Sequence, residues 1–386
     1  MTDVITKVLS QITAPGTFAT RLRMPAESLE IEVTGVGGIR FPITARSAQK
    51  LCAVARPSPF GLRQQTLHDL SVRNTWEVAA SRVKISARSW KPVLTSCLQT
   101  VQSELGFPEA CELKAVFDKL LIYQEGQFFK PHQDSEKADE MVGTLVVILP
   151  SEYSGGTVTV EHRGEKKSFR RVDGQARELS LLAFYADCHH TVSPIKSGVR
   201  VALTYQLRLS AAAGAVRPNV PAAVVDRLAA GVQEHFAVPV TRPYGQAEPA
   251  APERLVYLLD HEYTQRSLSW DRLKNGDRAR VAALRAAAER LDCECFLGLA
   301  EVHEQWLCGD QDDGYRRYGR RRWGYTEEDE LPSASEEPEL IELQASDIEL
   351  NRWLDATGQP VAGIGHAVDA EELYFTKPSH DMDPFR

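Results

Sequence analysis

A chain of 386 residues, 43% hydrophobic and 25% charged, has the composition of an ordinary folded protein with room for one large domain or two smaller ones. A formal net charge of −8 excludes a molecule drawn as a whole to nucleic acid or anionic lipid, although a local basic patch is still allowed. The seven cysteines, scattered from Cys52 to Cys308, suggest no disulfide framework. The start, MTDVITKVLSQIT, lacks a signal-peptide pattern. No apolar run approaches the ~20 residues that span a bilayer. The expected setting is therefore a reducing cytoplasm, with no membrane partner.

In chain order, residues 1–28 read as a mobile or helical lead-in, and 29–114 as an α/β flank. Residues 29–33 alternate apolar and polar, and 39–43 follow a Gly-Gly turn, which predicts a strand pair. Residues 46–56 have helical spacing, 73–85 alternate as a strand, and 89–105 are helical. The last of these places Trp90, Val93, Leu94, Cys97, Leu98, Val101 and Leu105 on one face, with Gly106 as the stop. From 115 to 210 short β-rich runs recur between Gly, Pro, Asp and Ser, which predicts a sandwich or barrel and argues against a doubly wound fold. Residues 211–224 read as a linker. An α+β accessory region over 225–386 follows, with helices at 222–236 and 277–291, strands at 254–260 and 293–302, and a loop or disordered insert over 309–340. The end, just past a strand-like 373–375, suggests a truncated form of a longer protein.

The chemistry concentrates in two segments. One contains His132-Gln-Asp134, the other His189-His190 and then Arg200. Strand side chains alternate with period two, so a His-x-Asp pair shares one face of an extended segment and can grip one ion. A second imidazole from another strand completes a facial set that suits non-haem iron(II), with open positions for reactants. The fork of Arg200 suits a carboxylate. Taken alone, His-x-Asp arises often by chance, a lone histidine is more often a core or loop residue, and a strand arginine is more often exposed. Their joint order in β context favours metal.

Tyr123, Gly126, Phe129, His132, Asp134, Gly155-Gly156, His190 and Arg200 together resemble the prolyl 4-hydroxylase-like branch of the 2-oxoglutarate/Fe(II)-dependent dioxygenase superfamily, over roughly 115–209. The resemblance implies a double-stranded β-helix, or jelly-roll, core within an α+β chain. It implies Fe(II), 2-oxoglutarate and O2 as cofactors, with ascorbate as the added reductant in vitro. His132, Asp134 and His190 would be the metal and catalytic residues, and Arg200 and Tyr123 would bind the co-substrate. The reaction implied is hydroxylation of an unactivated C–H bond, with release of succinate and CO2. Residues 144–149 lack the tyrosine that some relatives carry there, leaving Thr144 as the one polar candidate on that wall. His189 and His190 face opposite ways in a strand. The Cys188-x-His190-x-Val192-x-Pro194 pattern and the ten-residue step to Arg200 favour His190, with His189 as the alternative.

Weaker signals remain. Cys293, Cys295, His303 and Cys308 read as a poor zinc pattern or as a buried strand with cysteine filler. Residues 315–323 interleave arginines with aromatics, which suits nucleic acid, but acids at 327–330 suit a solvated loop equally well. Residues 259–264 would rim the active-site mouth or cap a turn. The substrate reads as a protein side chain, a free amino acid, another small metabolite or an alkylated base. The competing classes are a non-catalytic jelly-roll binding module and a nucleic-acid-directed oxygenase using 315–323.

Overall fold

The computed structural model describes residues 3–62, 65–134, 138, 140–171, 177–210, 219–239, 251–308, 340–362 and 366–369. The arginine-rich segment 315–323, nearly all of the 309–340 insert, the 373–375 strand and most of the linker lie outside the described residues.

The chain opens with helix α1 (Asp3–Ser10), strand β1 (Ala19–Pro25), the hairpin β2 (Ile31–Val33) and β3 (Gly37–Ile39), and helix α2 (Ala45–Val54). Five short strands follow: β4 (Arg56–Pro57), β5 (Phe60–Leu62), β6 (Gln65–Leu67), β7 (Arg73–Asn74) and β8 (Trp76–Ala79). Next come β9 (Val83–Ile85) and helix α3 (Ala87–Glu104). Ten strands then run without a helix: β10 (Glu112–Tyr123), β11 (Phe128–His132), β12 (Met141–Ile148), β13 (Tyr153–Gly155), β14 (Val158–His162), β15 (Glu165–Phe169), β16 (Glu178–Tyr185), β17 (His189–Val192), β18 (Ile195–Gly198) and β19 (Arg200–Ser210). Helices α4 (Ala222–Ala237) and α5 (Asn275–Arg290) precede β20 (Leu297–Cys308), β21 (Leu340–Leu354), β22 (Pro360–Val361) and β23 (His366–Asp369).

Two antiparallel sheets form the central core. The larger has the order β1-β16-β12-β19-β10-β8-β4, and the smaller β15-β14-β17-β11-β7. Non-sequential neighbours in both sheets make this a double-stranded β-helix, the jelly-roll solution to burying two sheet faces. One apolar cluster spans both sheets and the helices outside them, with Leu145 and Phe184 from the larger sheet, Val160 from the smaller, and Trp90 and Val101 from α3. The face of α3 read from its spacing is the one buried, and the Trp90 indole N–H donates to the Tyr205 hydroxyl. Gly106 ends that helix at φ +71, a left-handed conformation that favours glycine.

Five expectations change. Within the lead-in, β1 pairs along its whole length with β16, because Leu22 and Met24 alternate with Arg21 and Arg23. The 39–43 strand stops at Ile39, since Pro42 has no N–H to give a ladder. The 73–85 strand divides into β7, β8 and β9, because the chain crosses there from the small sheet to the large one. No strand forms over 254–260. The Asp260 and His261 amides donate to the Asp277 carboxylate instead of to a strand partner. The predicted 293–302 strand begins at Leu297.

A second apolar cluster joins the N-terminal helix to the two helices after the linker. Ile5, Val8 and Leu9 of α1 pack with Val225, Leu228 and Val232 of α4 and with Ala283 and Ala287 of α5. No helix among the described residues is long and apolar enough to cross a membrane.

Candidate active site

The register of the smaller sheet places the site. Arg73 of β7 pairs with Phe129 of β11, and Phe129 pairs with Val192 of β17, which in turn pairs with Val158 of β14. The adjoining row is His132, His190 and Val160. Cross-strand partners share a face, so both rows line the inner, apolar side of the sheet. His189, one residue away, pairs with Glu161 and points to the other side.

Asp134 follows β11 by two residues and returns to the same point. Donor atoms of His132, Asp134 and His190 all lie within 4.8 Å of one another, with His190 Nε2 3.8 Å from Asp134 Oδ2. Each imidazole is held from behind. His132 Nδ1 donates to the Lys130 carbonyl at 2.8 Å, and His190 Nδ1 to the Cys188 carbonyl at 3.3 Å. That fixes the tautomer and leaves both Nε2 atoms as acceptors, as metal-binding histidines require. The hydroxyl of Thr144, on the facing sheet, donates to Asp134 Oδ2 at 2.5 Å. Burial, then the neighbouring His190, holds His132 well below its usual pKa, and burial also lowers His190. Both are therefore neutral at pH 7, the form that coordinates a cation.

Arg200 opens β19 directly opposite Tyr123 on β10, and its guanidinium carbon stands 5.2 Å from that ring's centre. Arg200 is only 2% exposed, yet its Nε has no hydrogen-bond partner. Such a group calls for an anion, because leaving it unpaired is costly. Gly156 keeps the place open. A Cβ there would come 2.5 Å from Ile195 Cδ1 and 3.4 Å from Arg200 Cδ. Alternation and register place Thr144, Val146 and Ile148 of β12 on the inner face with Ala202 and Arg200 of β19. By the same register Thr204, opposite Val146, and Gln206, opposite Thr144, share this face, so the wall is apolar around Val146, Ile148 and Ala202 and polar toward Thr144. The donor set fits a divalent iron, and the unpaired arginine fits a dicarboxylate.

A second His/Asp group lies behind the first, formed by His162, Asp187 and His261. The Asp187 carboxylate accepts from Lys274 Nζ at 2.9 Å, from His261 Nδ1 at 2.9 Å and from the Glu262 amide at 3.2 Å, while His162 Nε2 stands 3.5 Å away. Burial pushes Asp187 upward, but Lys274, followed by His261 and His162, holds it well below the usual carboxylate range. With an ammonium already on one oxygen, this group is a charge network and not an open cation site. Asp277 ties in the next layer, accepting from the Tyr263 hydroxyl as well as from the two amides at 260 and 261.

This network touches the segment that carries His132 and Asp134. The side-chain amide of Gln133, between His132 and Asp134, donates to the Asp187 carbonyl at 2.9 Å and to the Glu262 carboxylate at 3.3 Å. Residues 259–264, expected at the mouth or in a turn, therefore lie behind the ligands. Sequence reading missed Arg73, Asp187 and Lys274, and gave His261, within 259–264, a different role. Only the position of Asp187, three residues before His190, offered a signal. Among the described residues, neither His/Asp group includes Cys293, Cys295 or His303.

Residues 119–208 match the family model described as the 2OG-Fe(II) oxygenase superfamily. Among curated proteins no match is found. Solved structures similar to the chain include a 2OG-Fe(II) oxygenase family oxidoreductase from Burkholderia pseudomallei, at 14% identity over 54% of this chain and 91% of that one, TM-score 0.28. A Pseudomonas putida prolyl-4-hydroxylase matches at 16% identity over 53% and 99%, TM-score 0.32. A Trichoplax adhaerens prolyl hydroxylase, solved with a hypoxia inducible factor peptide fragment, matches at 13% identity over 54% and 89%, TM-score 0.31.

Proposed function

With residues 119–208 as a 2OG-Fe(II) oxygenase domain, we propose that the protein hydroxylates an unactivated C–H bond of a prolyl or other side chain, with His132, Asp134 and His190 as its iron ligands. Fe(II), when bound, would activate O2, and 2-oxoglutarate would supply two of the four electrons: one atom of O2 enters the substrate C–H bond, the other enters succinate, and CO2 leaves.

The chain's own residues position and shield. The Lys130 and Cys188 carbonyls fix the two imidazoles, and Thr144 fixes Asp134, so three donors face one point without reorganisation. Arg200 takes the distal carboxylate of 2-oxoglutarate through its fork, beside Tyr123. Val146, Ile148 and Ala202 keep the space between apolar, which strengthens these charge interactions by excluding water.

The observation that carries this reading is the buried Arg200 with an unpartnered Nε, on the sheet facing two imidazoles and a carboxylate. The test is succinate release from 2-oxoglutarate with Fe(II) and ascorbate, alongside a one-oxygen mass shift over a panel of proline-containing peptides. Arg200→Met is expected to raise the KM for 2-oxoglutarate by roughly thirtyfold or more, the low end for removing one partner of a buried charge pair. If the wild-type protein binds neither Fe(II) nor 2-oxoglutarate and releases no succinate, the reading is wrong.

A further inference from the structure

Arg200 is not the only buried guanidinium with an unmet donor. Arg73 is 9% exposed, and its Nε also has no hydrogen-bond partner. Its Nη1 donates to the Pro59 carbonyl at 2.8 Å, and its guanidinium carbon lies 4.3 Å from the centre of the Phe129 ring. That ring stacks on His132 with centroids 3.3 Å apart. Arg73, Phe129 and His132 therefore form a stack on the inner face of the smaller sheet, with Arg73 at its open end, since β7 is the edge strand.

Charge then decides what Arg73 meets. Fe(II), Asp134, Arg200 and a 2-oxoglutarate dianion together are neutral. Asp187, the acid behind the ligands, is already paired with Lys274. Among the described residues no carboxylate pairs with Arg73, which stands near His132 within a wall of Phe60 and Phe129. A buried cation with a spare donor is costly unless an anion arrives to meet it.

We propose that Arg73 forms a substrate subsite for a carboxylate, so that the C–H bond to be oxidised belongs to a molecule carrying a carboxylate close by. This rests on the oxygenase reading above. The carboxylate is either the terminal group of a free amino acid or an acidic side chain in a peptide. Arg73 is a specificity residue here and takes no part in binding 2-oxoglutarate.

The protein loaded anaerobically with Mn(II) and 2-oxoglutarate is titrated with N-acetyl amino acids and with their C-terminal amides. Paramagnetic relaxation of probe protons reports binding near the metal. A third arm uses N-acetyl-glutamate amide, whose only carboxylate is on the side chain. Mn(II) and 2-oxoglutarate binding is measured first; its absence in the wild type would sink the oxygenase reading and not the subsite alone. With that binding intact, the carboxylate probes in one of the two arms are expected to bind at least roughly thirtyfold more tightly than the uncharged ones. Arg73→Gln should erase the difference and Arg73→Lys retain part of it, with 2-oxoglutarate affinity unchanged in both. Should Arg73→Gln fail to fold, Arg73→Lys carries the comparison. Equal binding of charged and uncharged probes, binding of none, or a preference that survives both substitutions would overturn the proposal. The last outcome would leave Arg73 as a strut between Pro59 and Phe129.

Discussion

The Lys274 ammonium lies 2.9 Å from Asp187 Oδ1, with Lys274 only 1% exposed. This pair couples the region after the linker to the turn that delivers His190. The same Asp187 accepts from His261 through its carboxylate and from Gln133 through its carbonyl. The region after the linker thus braces the segments of His132–Asp134 and of His190 from behind.

Lys274→Met is expected to destabilise the protein by about 3–5 kcal/mol, because it leaves a buried carboxylate without its main counter-charge. Urea unfolding at pH 7 measures this. Adding Asp187→Asn should recover much of the loss, since the orphaned charge goes with it. A silent Lys274→Met would mean that the brace contributes nothing.

Acid should unfold the protein steeply. Asp187 is held well below its ordinary pKa by Lys274 against the opposing effect of burial. Glu77 is likewise lowered, with Lys119, Ser58 and Arg56 outweighing burial. Depressed carboxylates contribute stability that is present above their unfolded pKa and lost as pH falls toward the folded value. Stability should therefore hold from neutral pH to about 4.5 and then fall by up to about 1.4 kcal/mol per pH unit for each group. The Lys274→Met/Asp187→Asn double variant should show a shallower acid limb in chemical denaturation between pH 5 and 3. An unchanged slope would contradict the assignment.

The Thr144 hydroxyl donates to Asp134, a proposed ligand. Thr144→Val preserves shape and removes that donor, loosening the orientation of Asp134. Fe(II) affinity is expected to drop about 10–100-fold, the usual effect of losing a group that orients a ligand, while the melting temperature moves little. Calorimetric titration under argon checks the first and circular dichroism the second. Equal affinities would show that Asp134 is held by other means.

The β core and the grouping of His132 with Asp134 were legible in the sequence because they depend on local rules. Close spacing at the end of β11 keeps His132 and Asp134 together, and apolar spacing drew α3 within two residues of its ends. What escaped depends on long-range closure. β1 looked like a lead-in because its partner, β16, lies about 160 residues away. Residues 254–260 read as a strand from composition, but their amides are taken by Asp277, a helix residue invisible to a local reading. Lys274 and Asp187 are 87 residues apart. Nothing in the spacing of either announces that the two meet behind a metal centre.

The most direct measurement is anaerobic Fe(II) binding, with and without 2-oxoglutarate, by wild type, His132→Ala, Asp134→Ala, His190→Ala and His189→Ala. His190 pairs with His132 on the inner face, whereas His189 pairs with Glu161 on the other. The expected result is at least a hundredfold loss for the first three variants, beyond the range for losing a supporting group, with His189→Ala binding like wild type. Retained affinity in His190→Ala together with loss in His189→Ala, or no iron bound by the wild type, would contradict the proposed centre.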